Sequence, residues 1–532
     1  MSPDKFIAAP LMALSLAAAN VAFAQHEHGE PHHQLGTVAF ANSCSPDVQE
    51  KLLRGIALLH SFYYSAGQAA FEEVTAADDT CTIAAWGYAS VQMYNPLQGI
   101  GASPDNARLA QGVIDKARKV GAKTEREHDY LEAVAAYYED FAKRSEHERQ
   151  LARARAYESL AAKYPDDDEA QIFYALYLAA TQTASDQTYS AYLKAAAILE
   201  KQFAKHPDHP GVAHYLIHSY DTPALAPRGL AAARRYAEIA PEAPHALHMP
   251  SHIFTRLGAW SDSIATNRRS ATVAERNGDI DEAVHALDYM TYADLQLARD
   301  GDARKTCEEA RGLTGFNASR ATAPYALAAM PARYALERGA WEDAAKLEPV
   351  ATHYPFTEAM THFARALGAT RSGDPAAAQK DVEHIAALRD EAKKSNEYWA
   401  NEVEVMRVTS LAWVALVQKK NDDALALMHQ AADSEDATEK NIITPGRLLP
   451  ARELLGDMLM ELNRPAEALG EYEASQHREP NRYRGLYGAG RAAAQSGNRD
   501  KARQYFSRLI EQAGSGDQRP ETEAARRFLA AD

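Results

Sequence analysis

The stretches PGVAHYLIHSYD (residues 210–221) and PHALHMPSHIFT (244–255) superimpose without a gap at an offset of 34 residues. Pro210 falls on Pro244, His214 on His248, His218 on His252 and Tyr220 on Phe254, and Pro207 and Pro241 keep the same interval. A period of this length marks a helix-turn-helix solenoid, in which equivalent positions of neighbouring repeats lie side by side. The four imidazoles are therefore expected to converge, and a convergent histidine cluster suits a metal ion or an anion.

A chain of 532 residues, 46% apolar and 24% charged, exceeds what one hydrophobic core usually serves, and a repeat array evades that limit. The net charge of −16 argues against a nucleic-acid or anionic-membrane partner, because no basic stripe is present to displace counterions from phosphate. Lys5 precedes an apolar run from Phe6 to Phe23 that closes on Ala22-Phe23-Ala24. Residues 1–24 thus read as a secretory signal cleaved after Ala24, which places the mature protein in the periplasm or outside the cell, and no later run is long and apolar enough to span a bilayer. Residues 25–44 form a histidine-rich lead-in with His26, His28, His32 and His33. Cys44 and Cys81, 37 residues apart, lie near the starts of two successive repeats and are expected to form a disulfide, leaving Cys307 as a lone core thiol.

From Pro46 onward helical periodicity alternates with short breakers, with one candidate strand at residues 37–40. Asn463 and Gly497, Ala468 and Ala502, and Tyr472 and Phe506 all repeat at 34 residues. So do Gly339-Ala340-Trp341-x-x-Ala344 and Gly373-Asp374-Pro375-x-x-Ala378, and Gly258-Ala259-Trp260 matches the same turn, with Ser263 in the alanine place. In these residues the chain resembles the tetratricopeptide repeat (TPR) family. The implied fold is all-α, a tetratricopeptide-like helix-turn-helix solenoid, with an N-terminal half over residues 45–312 that carries the histidines and a C-terminal array over residues 313–532 that ends in a capping helix. HYLIHSYD and HALHMPSHIF together resemble a distinctive subgroup of secreted bacterial TPR proteins.

Residues four apart on an α-helix differ by about 40° in heading and residues seven apart by about 20°, so each set shares a face. His214, His218 and Asp221 follow i, i+4, i+7, and His245, His248 and His252 follow i, i+3, i+7. In the TPR family the second, fifth, ninth and twelfth positions of each first helix generally line the concave groove. Counted from Pro210 and Pro244, all six residues fall on such positions. They are the candidate metal ligands: His214, His218, His248 and His252 first, with His245 and Asp221 completing or tuning the site. Imidazole donors suit a divalent transition metal, namely zinc, copper or iron. His285, Asp288 and Tyr292 follow at i, i+3, i+7 on a later helix and, with His60, are candidate groove or supporting residues. Pro250 interrupts the second stripe and is expected to kink it, toward a shared centre or away from it.

Other readings stand beside the metal. The imidazoles also suit a hydrogen-bonding patch for a peptide, carboxylate or phosphate, or plain packing. The function read from the sequence is a periplasmic solenoid that binds a peptide, protein or small molecule in its groove beside a histidine metal site. The alternatives are a metal-dependent hydrolase or copper or iron oxidase built in the groove, and a metal-free assembly scaffold. Catalysis is left open, because HExxH, G-x-S-x-G, the phosphate-cradling G-x-x-x-x-G-K and CxxC are all missing.

Overall fold

The computed structural model describes residues 34–531. The signal segment and the four histidines of residues 26–33 lie outside the described residues. Among those described, no strand occurs, and helices follow one another from Gln49–His60 to Pro520–Ala530. Sequence neighbours pack on each other as pairs joined by short turns, which makes the protein an all-α, tetratricopeptide-like array. No described helix is long and apolar enough to cross a membrane.

Two local devices set the repeat. The first is the turn between the helices of a pair: Gly258 (φ 67°), Gly339 (64°), Gly373 (88°) and Gly497 (81°) are left-handed there, and Asn463, one period before Gly497, adopts φ 57°. The second is a small residue facing an aromatic ring. Phe71 fills the space where side chains on Gly55 and Gly87 would stand, and Tyr472 does the same for Gly456 and Gly488. Helix backbones approach closely at these points, and the ring seals the gap.

Several expectations meet the structure directly. Cys44 and Cys81 are joined by a disulfide, with Cα atoms 4.7 Å apart, and Cys81 caps the helix Thr82–Val91. The acidic run opens the helix Asp168–Ala179, where Asp167 accepts from the Ala170 amide. Residues 37–40 form no strand. The segment lacks a partner strand. It is held by the Thr37 amide on the Asp208 carbonyl (3.0 Å) and by Phe40, which stacks on Trp86 with 5.3 Å between ring centroids. The helix Trp341–Ala345 is cut short where Pro349 approaches, since the residue before a proline is driven out of helical geometry.

The apolar core falls into two large clusters, one from Leu35 to Phe254 and one from Ala298 to Ala525. Between them run the helices Trp260–Asn277 and Ile280–Gln296, whose buried faces are rich in Ser, Thr, Asn, Asp and His. Residues 437–450 join the helices Asn421–Asp436 and Ala451–Glu461 without helical structure and are nonetheless mostly buried. This segment reaches far partners. The Glu439 amide donates to the Ala184 carbonyl (2.8 Å), Asn441 Nδ2 to the Gln98 carbonyl (3.1 Å), and Tyr289 Oη to the carbonyls of Ile442 (3.1 Å) and Thr444 (3.2 Å). A stretch of the C-terminal half thus occupies space beside the histidine-bearing helices.

Candidate metal centre

His214 and His218 project from the helix Pro210–Tyr220, which starts on a proline and is capped by His209, whose Nδ1 accepts from the Val212 amide. His245 and His248 lie on the helix Pro244–His248. Pro250 opens the next segment, Pro250–Leu257, which carries His252. Met249 between them keeps helical angles (φ −53°, ψ −36°), so the break leaves the direction nearly unchanged and His248 and His252 remain one turn apart on one face. His285 comes from the helix Ile280–Gln296.

These side chains form two adjoining triads. The donor atoms of His214, His218 and His245 lie within 4.8 Å of one another, and so do those of His248, His252 and His285. Across the boundary, ring centroids of His218 and His252 are 5.5 Å apart and those of His245 and His248 are 5.7 Å apart. Within the triads the separations include 4.4 Å (His248–His285) and 6.4 Å (His218–His245), so the six rings form one continuous cluster. All but His245 are at most 4% exposed.

The hydrogen bonds fix how four rings are presented. His214 Nδ1 donates to the His60 carbonyl (2.6 Å), and His245 Nδ1 to Glu282 (3.0 Å). His252 Nδ1 donates to Asp221 (2.8 Å), and His248 Nδ1 to the Asn267 side-chain oxygen (2.6 Å), whose own amide nitrogen is spent on the Ser263 carbonyl. Each Nδ1 partner is an acceptor, so each of these rings carries its proton on Nδ1 and offers a bare Nε2 lone pair. The Nε2 atoms of His248 and His252 face each other at 3.0 Å with no proton between them in the neutral state. Nε2 of His214, Nε2 of His245, both nitrogens of His218 and Nδ1 of His285 are buried without any partner. Burial first, and then the neighbouring imidazoles, hold His214, His218 and His248 well below the ordinary histidine range and His285 down to about 3, which keeps these rings neutral.

The surrounding carboxylates are committed elsewhere. Asp221 spends one oxygen on His252 and the other on Arg256 Nε (2.8 Å), with Lys440 3.7 Å away. Burial alone would raise its pKa, yet the charges of Lys440 and Arg256 and the His252 bond hold it far below the usual carboxylate range. Burial also pushes Lys440 down to about 8, against the pull of Asp221. Glu282, despite burial, is held down to about 2 by His245.

Of the supporting candidates, His285 joins a triad, where its sequence register had pointed only to support. Asp288 pairs with Arg333 (3.3 Å), and Tyr292 bonds to Arg482 (2.7 Å) and Glu479 (3.1 Å), inside a separate buried ion network. His60 reaches the centre through its backbone carbonyl alone. Its ring bonds to Tyr215 and Glu169 (2.9 Å each), and Glu169 also takes His209 (2.9 Å), so this third His–Glu–His group is hydrogen-bonded throughout. Cys307 sits 3.8 Å from the Thr291 hydroxyl, and burial pushes its thiol up to about 12.

Sequence reading missed Arg256 and Glu282, which share helices with His252 and His285, Asn267 on the helix between, and Lys440 from a non-helical stretch far away in the chain. It also missed Phe62, whose ring lies 4.3 Å from that of His214 and 5.7 Å from that of His245, on a residue with φ 51°. A non-glycine residue in the left-handed region costs about 1–3 kcal/mol and is found where a surrounding structure demands it. Phe62, Tyr64, Gln98, Arg320 and Ile442 close a hollow of about 20 Å³ over His218, His245, His252 and His285. A larger cavity of about 600 Å³, lined by Tyr189, Tyr192 and Tyr398 among others, shares Gln98 and Ile442 with it.

No family model and no curated protein matches the chain. Among solved structures it is similar to a chain of the crystal structure of the APC/C hetero-tetramer Cut9-Hcn1, with 10% identity, a TM-score of 0.29, and coverage of 91% of this chain and 97% of that one. It is also similar to the human IFIT1 dimer with m7Gppp-AAAA, with 14% identity, a TM-score of 0.33, and coverage of 82% and 90%. Likeness at these scores carries no argument about function.

Proposed function

We propose that this chain is a transition-metal-binding helical-repeat protein whose metal is held by His214, His218, His245, His248, His252 and His285. The observation that carries the reading is the set of tethered Nδ1 protons. Four rings are locked with a bare Nε2, and two of those lone pairs face each other at 3.0 Å. Bare lone pairs buried without a donor are costly, and binding a Lewis acid relieves that cost. Histidine ligands whose second nitrogen donates to a carboxylate or carbonyl are the usual arrangement of protein metal sites. Asp221 and Glu282 then act by orienting His252 and His245.

The accompanying ligand is small. Residues 437–450 lie beside the cluster, and the neighbouring free space is the cavity of about 600 Å³, which suits a small molecule better than a folded partner. The Cys44–Cys81 disulfide supports an oxidising compartment, periplasmic or extracellular. A metal-dependent catalytic role is the second reading, favoured by the wall that this cavity shares with the hollow over the imidazoles.

Elemental analysis of protein purified under metal-replete conditions tests the reading. Stoichiometric metal is expected, and it should be lost in a His214→Ala/His248→Ala variant that keeps its helical circular dichroism. Folded wild-type protein that takes up no zinc, copper or iron overturns it. Turnover by the loaded protein in hydrolase and oxidase screens would select the catalytic reading.

A further inference from the structure

We infer that the cluster is a paired copper centre, with one ion on His214, His218 and His245 and a second on His248, His252 and His285, close enough to share a bridging ligand. This inference rests on the metal-binding reading above. It adds the number of ions, their coupling and their identity.

The number follows from the unpartnered nitrogens. A single ion on the first triad would leave the opposed lone pairs of His248 and His252 and the buried Nδ1 of His285 unanswered. A single ion on the second would strand Nε2 of His214, Nε2 of His245 and both nitrogens of His218. Each triad carries its own unmet demand, and each supplies three nitrogens, enough for one ion with an open position.

Coupling follows from proximity. Rings of different triads lie as near each other as rings of the same triad, at 5.5 Å for His218–His252 and 5.7 Å for His245–His248. Metal–imidazole bonds are about 2 Å long and two-metal centres hold their ions about 3.5–4 Å apart, so triads whose rings adjoin this closely suit a coupled pair. The hollow of about 20 Å³ bordered by His218, His245, His252 and His285 has room for one water-sized ligand between them.

Identity follows from charge. All six donors are imidazoles, which bind a metal as neutral ligands; Asp221 is spent on His252 and Arg256 with Lys440 beside it, and Glu282, at the edge of the hollow, has one oxygen on the His245 Nδ1. Two divalent ions would bury a large uncompensated charge, whereas two cuprous ions bring half of it, and imidazole is a good copper ligand. In the cupric state a bridging hydroxide, formed when a bound water releases a proton to solvent, offsets the added charge.

Anaerobic titration of the metal-free full chain with cuprous ion against a chromophoric chelator counts the sites, and electron paramagnetic resonance of the cupric-loaded protein reads their coupling. Two equivalents are expected, with a cupric signal far below two spins. A His214→Ala/His218→Ala variant and a His248→Ala/His285→Ala variant should each keep one equivalent and show its full one-spin signal. The wild-type spin count needs no variant, so misfolding of either variant leaves the test intact. One equivalent in the wild type overturns the pair while the metal-binding reading stands. No uptake of copper overturns the copper pair, and the metal-binding reading then stands or falls on the zinc and iron content of the protein; two equivalents with two full spins overturn the coupling.

Discussion

Gly211 leaves its side-chain position to the ring of His60, whose Nδ1 lies where a Cβ on residue 211 would stand. One period later the equivalent residue is His245, a member of the first triad. The two repeats are thus alike in backbone and unlike in use. One admits the helix end that delivers the His60 carbonyl to His214, and the other supplies an imidazole itself.

Gly211→Ala is expected to weaken metal binding although residue 211 is no ligand. The added methyl pushes His60 aside and breaks the bond from His214 Nδ1, so that ring loses its fixed tautomer. Loss of such an outer partner typically costs about 10–100-fold in affinity. Competition against a chelator measures it. Gly112→Ala is the control: nothing lies near that position in the helix Pro104–Val120, so the change should leave affinity alone and stabilise the protein by about 0.5–1 kcal/mol.

Asp221→Asn preserves shape and removes charge. Arg256 then keeps only Glu439, 3.6 Å away, as its ion-pair partner, Lys440 loses the carboxylate beside it, and His252 loses its carboxylate partner. Leaving buried charges unpaired costs on the order of 3–5 kcal/mol, so the melting temperature should fall with and without metal. Affinity should also drop by about 10–100-fold. A variant that loses stability but binds metal unchanged would show that Asp221 serves the fold alone.

The repeat was legible because its signals are local. A left-handed turn residue and a small-residue–aromatic pair recur at one interval, and each works within two neighbouring helices, as Gly456, Gly488 and Tyr472 show. The convergence of His214, His218, His248 and His252 was legible for the same reason, since one period of offset means adjacency. His285 was harder to place. It stands 33 residues after His252 and 37 after His248, on a helix whose register the longer connection had blurred. Lys440, Glu439 and Ile442 had no signal in the sequence. They arrive from a non-helical stretch that enters beside the cluster only because distant repeats meet there, and no period encodes that contact.

The disulfide should matter to the scaffold rather than to the site. Cys44 and Cys81 close a loop of 37 residues, worth about 3–4 kcal/mol in the chain-entropy account. A Cys44→Ser/Cys81→Ser variant is expected to lose about that much in urea unfolding, with its metal content unchanged. Loss of metal in a variant that still melts cooperatively would place the disulfide in control of the site.

Asp294 gives the stability of the protein a pH dependence of opposite sign to that of a paired carboxylate. It is 3% exposed, and burial first, then the charge of Asp302, pushes it up to about 7 against the pull of Arg299 and Arg268. In the unfolded chain it titrates at the ordinary aspartate value of 3.8. Between those two values the folded state binds the extra proton, so the stability contributed by this group is fully present below the lower value and is lost as pH rises through about 7. Asp294→Asn removes the ionisation while keeping the shape. The variant should melt near the wild type at pH 4 and above it at pH 8, with the gap opening between. Equal gaps at both pH values would show that Asp294 is ionised throughout and that the two arginines outweigh its burial.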